Sequence, residues 1–326
     1  MNVTIFTQYC GEGATAAPIS ERCWSMVVPG FGFTVRRHFV SGIVSASVVC
    51  MLVSAACAAT SPVIPLASAQ PVLASHKALY RVTLTSTRSG SDYQDVNGKM
   101  FLEFNDSCDA WTTNQKSLLR ITTDEGGDQV SRSVFAAWEN KAGTSYRFSS
   151  RQTDNGQTSE YSGGATRNRT GDGGKVTYDK PDRKTYSLPP HFLFQTAQQV
   201  KVLEYAQKGG HFLVGDMFDG SEGGGAARFS AVILKPVPDR AQRALPVNPL
   251  LDSPPHRVRV AFYPPAGVDT DDAGGQAAID GSNEPEYEMT MTLHDNGVVS
   301  DYDYDYEDFS VHGQLEAIQA LPQPHC

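Results

Sequence analysis

A chain of 326 residues, 40% of them hydrophobic, is long enough to bury a sizeable core, and its formal net charge is −9. That balance excludes nucleic acid and anionic lipid as general partners, because both need a basic surface. The length suits one large β domain or two small ones.

The first 69 residues read as an export segment. Arg36-Arg37 supplies a basic start, Val40–Ala59 is an uncharged apolar run, and Ala67-Ser68-Ala69 is a small-residue cleavage site. A retained membrane anchor is the other reading of the same run. Residues 1–25 fit no part of a signal, and a start at Met26 gives an n-region of ordinary length. On this reading 1–69 is an N-terminal extension with a secretory signal, and 70–326 is a single exported domain of the periplasm. That domain holds 24 Lys and Arg against 34 Asp and Glu. It retains two of the six cysteines, Cys108 and Cys326. In an oxidising compartment these are expected to pair with each other rather than to bind metal.

Lys77 to Leu188 reads as a β meander. Tyr80, Val82 and Leu84 alternate with polar residues, and Met100–Phe104 is a second run that breaks at Asn105-Asp106-Ser107, the turn that carries Cys108. Further strands follow at Trp111–Thr123, Val130–Trp138 and Ser145–Gln152. Asp154-Asn155-Gly156 is a hairpin signal, since a type I′ turn needs positive φ at both central residues. Pro189-Pro190 ends this pattern.

Phe194, Ala197, Val200, Leu203 and Ala206 then recur at helical spacing, which predicts one helix over Thr196–Lys208. Thr196 is placed to cap its start and Gly209-Gly210 to end it. An apolar helix stripe within an all-β chain must lie on the sheet or across an open barrel end. Phe194 and Leu203 are therefore candidate linings of an apolar cavity there. Two strands return at Ala227–Leu234 and Arg257–Tyr263, separated by a proline-rich loop. Pro264–Pro285 is acidic and glycine-rich, and its Asp269–Gly274 stretch resembles the start of a calcium loop. Ala273 stands where a ligand is needed and Asp280 where a bidentate Glu belongs, so it reads as a solvated acidic loop. Tyr287–Leu293 alternates strictly, Asp295-Asn296-Gly297 turns the chain, and the last strands are Val298–Tyr306 and Phe309–Ile318.

Asp301 to Tyr306 is three Asp-Tyr pairs in a row. The simplest reading is a half-buried strand with the tyrosines inward and the aspartates in water. The functional alternative makes Tyr302 and Tyr304 the aromatic lining of a ligand cavity. Nothing else carries chemistry: there is no nucleophile elbow, no His-Glu-x-x-His and no phosphate loop with Lys. The histidines are scattered without metal-ligand spacing, so no cofactor and no metal is expected.

Leu73–Tyr80, Asp106–Trp111, Trp138-Glu139, Tyr146-Arg147-Phe148, Ser187–Pro190, Phe218-Asp219-Gly220, Pro285–Glu288, Leu293–Gly297 and Leu321-Pro322 together resemble the envelope integrity protein B family of Alphaproteobacteria. The acidic loop and the Asp-Tyr alternation are not part of that pattern. The resemblance implies an all-β, mainly antiparallel fold, a spiral-like broken β-barrel with one covering helix near residues 196–208. It implies a disulfide at Cys108 and Cys326. It also implies a non-enzymatic periplasmic role in envelope integrity and stress resistance, in functional association with a periplasmic tetratricopeptide-repeat protein. The expected ligand is a lipid or a peptide. The alternatives are a lipid or lipoprotein carrier with an open barrel cavity, and less favourably a cell-wall hydrolase, which would show buried carboxylates in one cleft.

Overall fold

The computed structural model describes residues 71–124, 127–221, 223–235, 245–264 and 285–324. The expected signal segment, the acidic loop with its calcium-like stretch, and Cys326 lie outside these residues. Among the described residues fifteen strands form one sheet. In chain order they are β1 (His76–Thr87), β2 (Tyr93–Asp106), β3 (Ala110–Thr123), β4 (Asp128–Asn140), β5 (Ser145–Asp154), β6 (Gln157–Arg167), β7 (Gly174–Lys180), β8 (Thr185–Leu188) and β9 (Leu193–Phe194). Helix α1 (Gln195–Gln207) follows, and then β10 (Phe212–Phe218), β11 (Ala227–Leu234), β12 (Pro255–Tyr263), β13 (Tyr287–His294), β14 (Val299–Asp305) and β15 (Phe309–Ala320).

The hydrogen-bonded order is β8 through β1, then β15 back through β9. The first strand therefore pairs with the last: His76 of β1 lies opposite Ala320 of β15, and Thr87 opposite Phe309. Its two edges, β8 and β9, are neighbours in sequence, separated only by residues 189–192. An extended chain covers at most about 3.6 Å per residue, so that link holds the edges within about 18 Å of each other. Two of its residues are Pro189 and Pro190, which have no N–H to give a ladder. The sheet curls round and stops short of joining itself. All described pairings are antiparallel except β9 with β10, the parallel pair that α1 connects.

Local chemistry sets the turns. Asn155 and Gly156 both have positive φ, 49° and 86°, as the expected type I′ hairpin requires. The helix runs one residue earlier at each end than its periodicity predicts, which is within the usual fraying. Gly209 at φ 74° donates to Ala206, and Gly210 donates to Tyr205, ending α1 as expected. Its start differs from expectation. The N-cap is Phe194, which offers no side-chain bond, and Thr196 lies inside the first turn.

Apolar side chains form two clusters. One holds Tyr80, Met100, Leu102, Leu119, Phe229, Val258, Leu293 and Tyr302, with Val200 and Leu203 of α1. The other is aromatic: Tyr146, Phe148, Tyr178, Phe192, Phe194 and Phe218, from β5, β7, β9, β10 and the β8–β9 link. The ring of Tyr146 stacks on Phe194 at 5.0 Å, interplanar angle 10°. Helix α1 thus begins at the aromatic cluster and buries its later turns in the larger one.

The Asp-Tyr strand is packed on both faces. Tyr302 and Tyr304 are buried. On the other face Arg257 of β12 forms ion pairs with Asp301 and, at 2.6 Å, with Asp303, while His312 of β15 meets Asp303 at 2.7 Å. Asp301 and Asp303 thus meet cations from the flanking strands rather than water alone. Burial pushes the Asp303 carboxyl up, but its bonds to His312 and Arg257 outweigh this and hold it below the usual carboxylate range.

Candidate functional site: a cleft beneath helix α1

The first two turns of α1 face the sheet across a narrow cleft. Residues from six strands converge on it: His76 of β1, Leu102 and Phe104 of β2, Thr113 of β3, Val260 and Phe262 of β12, Met289 and Met291 of β13, and Val299 of β14. Gln195, Thr196, Gln198 and Gln199 form the helix side. The strand side is mostly apolar because period-2 alternation turns one face of β2, β12 and β13 inward. Counting the part open to solvent, about 680 Å³ lies between the lining atoms, while the cavity proper is about 50 Å³. That holds a few waters. A larger guest must displace side chains, and the two methionines, unbranched and polarizable, are suited to that.

The cleft's helical wall is held from outside. Glu139 of β4 is 1% exposed and accepts hydrogen bonds from the backbone N–H of Thr196 at 2.7 Å and of Ala197 at 2.9 Å. Burial pushes its carboxyl up to about 7; the two backbone bonds, and more weakly Arg167, oppose that rise. Arg167 itself lies over the rings of Phe192 and Phe194, 4.7 and 5.9 Å from their centroids.

Of the residues singled out from sequence, Phe194 and Leu203 are wholly buried, one in each apolar cluster. Tyr302 and Tyr304 line a separate cavity of about 10 Å³ with Val82, Met100, Leu119 and Val311. Cys108 sits in the turn between β2 and β3 and is disulfide-bonded. It is the one cysteine among the described residues. Sequence reasoning missed His76, Gln195, Gln198, Met289 and Met291. The strict alternation of Tyr287–Leu293 was a visible signal for the two methionines; His76 and the glutamines had none. Among the described residues no group of three or more His, Cys, Asp or Glu is placed to hold a metal ion.

Fold and site define a broken-barrel protein of the β-spiral type, with a narrow apolar cleft under helix α1. The chain belongs to the EipB-like family, whose family model matches residues 67–322. It is 27% identical over 249 residues to the cell envelope integrity protein EipB of Brucella abortus, covering 74% of this chain and 82% of that protein. Among solved structures it is similar to a beta-barrel-like protein of a domain of unknown function from Brucella abortus. There the TM-score is 0.66 at 25% identity, over 77% of this chain and 99% of the other.

Proposed function

We propose that this chain serves cell-envelope integrity in the periplasm by binding an apolar ligand in the cleft beneath α1, without catalysing a reaction. The relative's name supports the envelope role. The observation that carries the binding is the wall of Leu102, Phe262, Met289 and Met291 facing a helix that rests on hydrogen bonds as well as packing. The functional association with a tetratricopeptide-repeat protein belongs to the same proposal and rests on the family resemblance.

The hydrolase reading, taken as cleavage of a glycosidic bond, needs two carboxylates acting together. Glu139 has the raised pKa of a buried acid, but both its oxygens are committed to backbone N–H groups of α1. Among the described residues no Asp or Glu lines the cleft. Carriage of a lipid is a narrower form of the binding reading and draws on the same wall.

The test is titration with diphenylhexatriene, an uncharged hydrocarbon that fluoresces in apolar surroundings. Saturable binding of one equivalent is expected, lost in Met289→Glu. Binding that does not saturate, or that survives Met289→Glu unchanged, overturns the proposal.

A further inference from the structure

Resting on that binding reading, we infer the head group of the ligand: a neutral amphiphile bearing a hydrogen-bond donor, a hydroxyl or primary amide, which His76 receives beneath α1.

His76 is 2% exposed and lines the cleft. Its Nδ1 lies 2.7 Å from the carbonyl oxygen of Ala74. A carbonyl can only accept, so the proton of the neutral ring sits on Nδ1 and Nε2 is left as an acceptor. Burial lowers the pKa of this histidine, which keeps the ring neutral at neutral pH. Nε2 is itself buried and has no hydrogen-bond partner. A buried acceptor in that state is left desolvated and unpaired, a cost that an incoming donor relieves. His76 therefore selects for O–H or N–H on the guest and against a bare oxyanion.

The rest of the cleft agrees. Among the described residues that line it, none is Asp, Glu, Lys or Arg. An anionic head group would bury its charge without a counter-charge. The positive end of α1 does not supply one. The N–H groups of Thr196 and Ala197 that would face an anion are already held by Glu139, whose carboxylate repels it once ionised. Neutral polar groups are present instead: Thr113 and the glutamine side chains of α1, of which Gln199 is engaged with the carbonyl of Gly297 at 3.0 Å. Next to His76, with ring centroids 6.1 Å apart, stands Phe104, where the apolar wall begins. A polar point beside an apolar wall fits a head group with a chain attached.

Three ligands of one chain length test this: 1-decanol, decanamide and decanoate, titrated calorimetrically into the purified protein at pH 7.5. The two neutral compounds are expected to bind saturably, and decanoate at least tenfold more weakly. His76→Phe is expected to weaken decanamide about tenfold relative to diphenylhexatriene, which has no donor. In wild-type protein carrying nitrogen-15 histidine, the His76 Nε2 resonance is expected to shift with decanamide and not with decanoate, which needs no variant to fold. Decanoate binding as tightly as decanamide, or an unmoved Nε2 resonance, overturns the head-group inference and leaves the apolar cleft standing. Failure of diphenylhexatriene and all three amphiphiles alike overturns both.

Discussion

Glu139 holds the backbone N–H of Thr196 at 2.7 Å, so a residue of β4 caps a helix that begins 56 positions later. A helix normally satisfies its first N–H groups with a side chain at its own N-cap. Here that position is Phe194, whose ring is committed to the aromatic cluster. The cap therefore comes from the sheet, and it ties one wall of the cleft to β4.

This arrangement makes stability depend on pH. Glu139 is pushed up to about 7 when folded, against 4.5 for an unperturbed Glu. Between those values the folded chain binds more protons than the unfolded one, so this group's contribution falls as pH rises from about 4.5 to 7 and is flat above. The size is about 3 kcal/mol. Glu139→Gln removes the titration. Denaturant melts at pH 5 and pH 8 are expected to show the variant gaining on wild type by about that amount at the higher pH. A difference that stays constant with pH contradicts the role of Glu139.

Gly313 of β15 stands opposite Tyr302 of β14, and a Cβ added there would come within 2.1 Å of the ring. Tyr302 is 2% exposed and packed against Tyr80 at 5.5 Å, so it cannot swing away. Gly313→Ala is expected to cost about 3 kcal/mol, the upper range for overpacking. Tyr302→Leu in the same chain should recover part of that, because the two sites share one contact. A thermal melt of Gly313→Ala within error of wild type would contradict the packing.

These residues also show how far sequence carries. Asn155-Gly156 and the Val200–Leu203–Ala206 spacing are local signals, and local chemistry decides a turn or a helix, so both were readable to within a residue. The tyrosine face of β14 was readable for the same reason. The Glu139 cap was not, because no spacing rule links β4 to α1. Nor was the cleft: alternation says which face of β13 is inward, but whether Met289 meets solid core or open space depends on six strands at once. Thr113 and Gln115 are buried at 7% and 2% exposure, against their usual place on the surface.

The disulfide partner of Cys108 is proposed to be Cys326. Leu321 donates its N–H to the carbonyl of Ser75 at 2.8 Å, and the Ser75 hydroxyl accepts from the N–H of Asp106 at 2.8 Å, two residues before Cys108. Five more residues reach Cys326, a span of up to about 18 Å when extended. The closed loop exceeds two hundred residues, for which chain entropy gives roughly 5 kcal/mol. Cys108→Ser and Cys326→Ser are expected to lower the melting temperature equally, with the double variant little worse than either. Additive losses, or two free thiols in protein from the native compartment, contradict the pairing.

The most direct measurement is mass spectrometry of what leaves the native envelope with the protein. Wild-type protein, purified without detergent exchange, is expected to carry a small molecule with an apolar chain, released on denaturation and absent from folded Met289→Glu. Wild-type and Met289→Glu protein carrying the same material, or wild type carrying none while also refusing diphenylhexatriene, would contradict a ligand beneath α1.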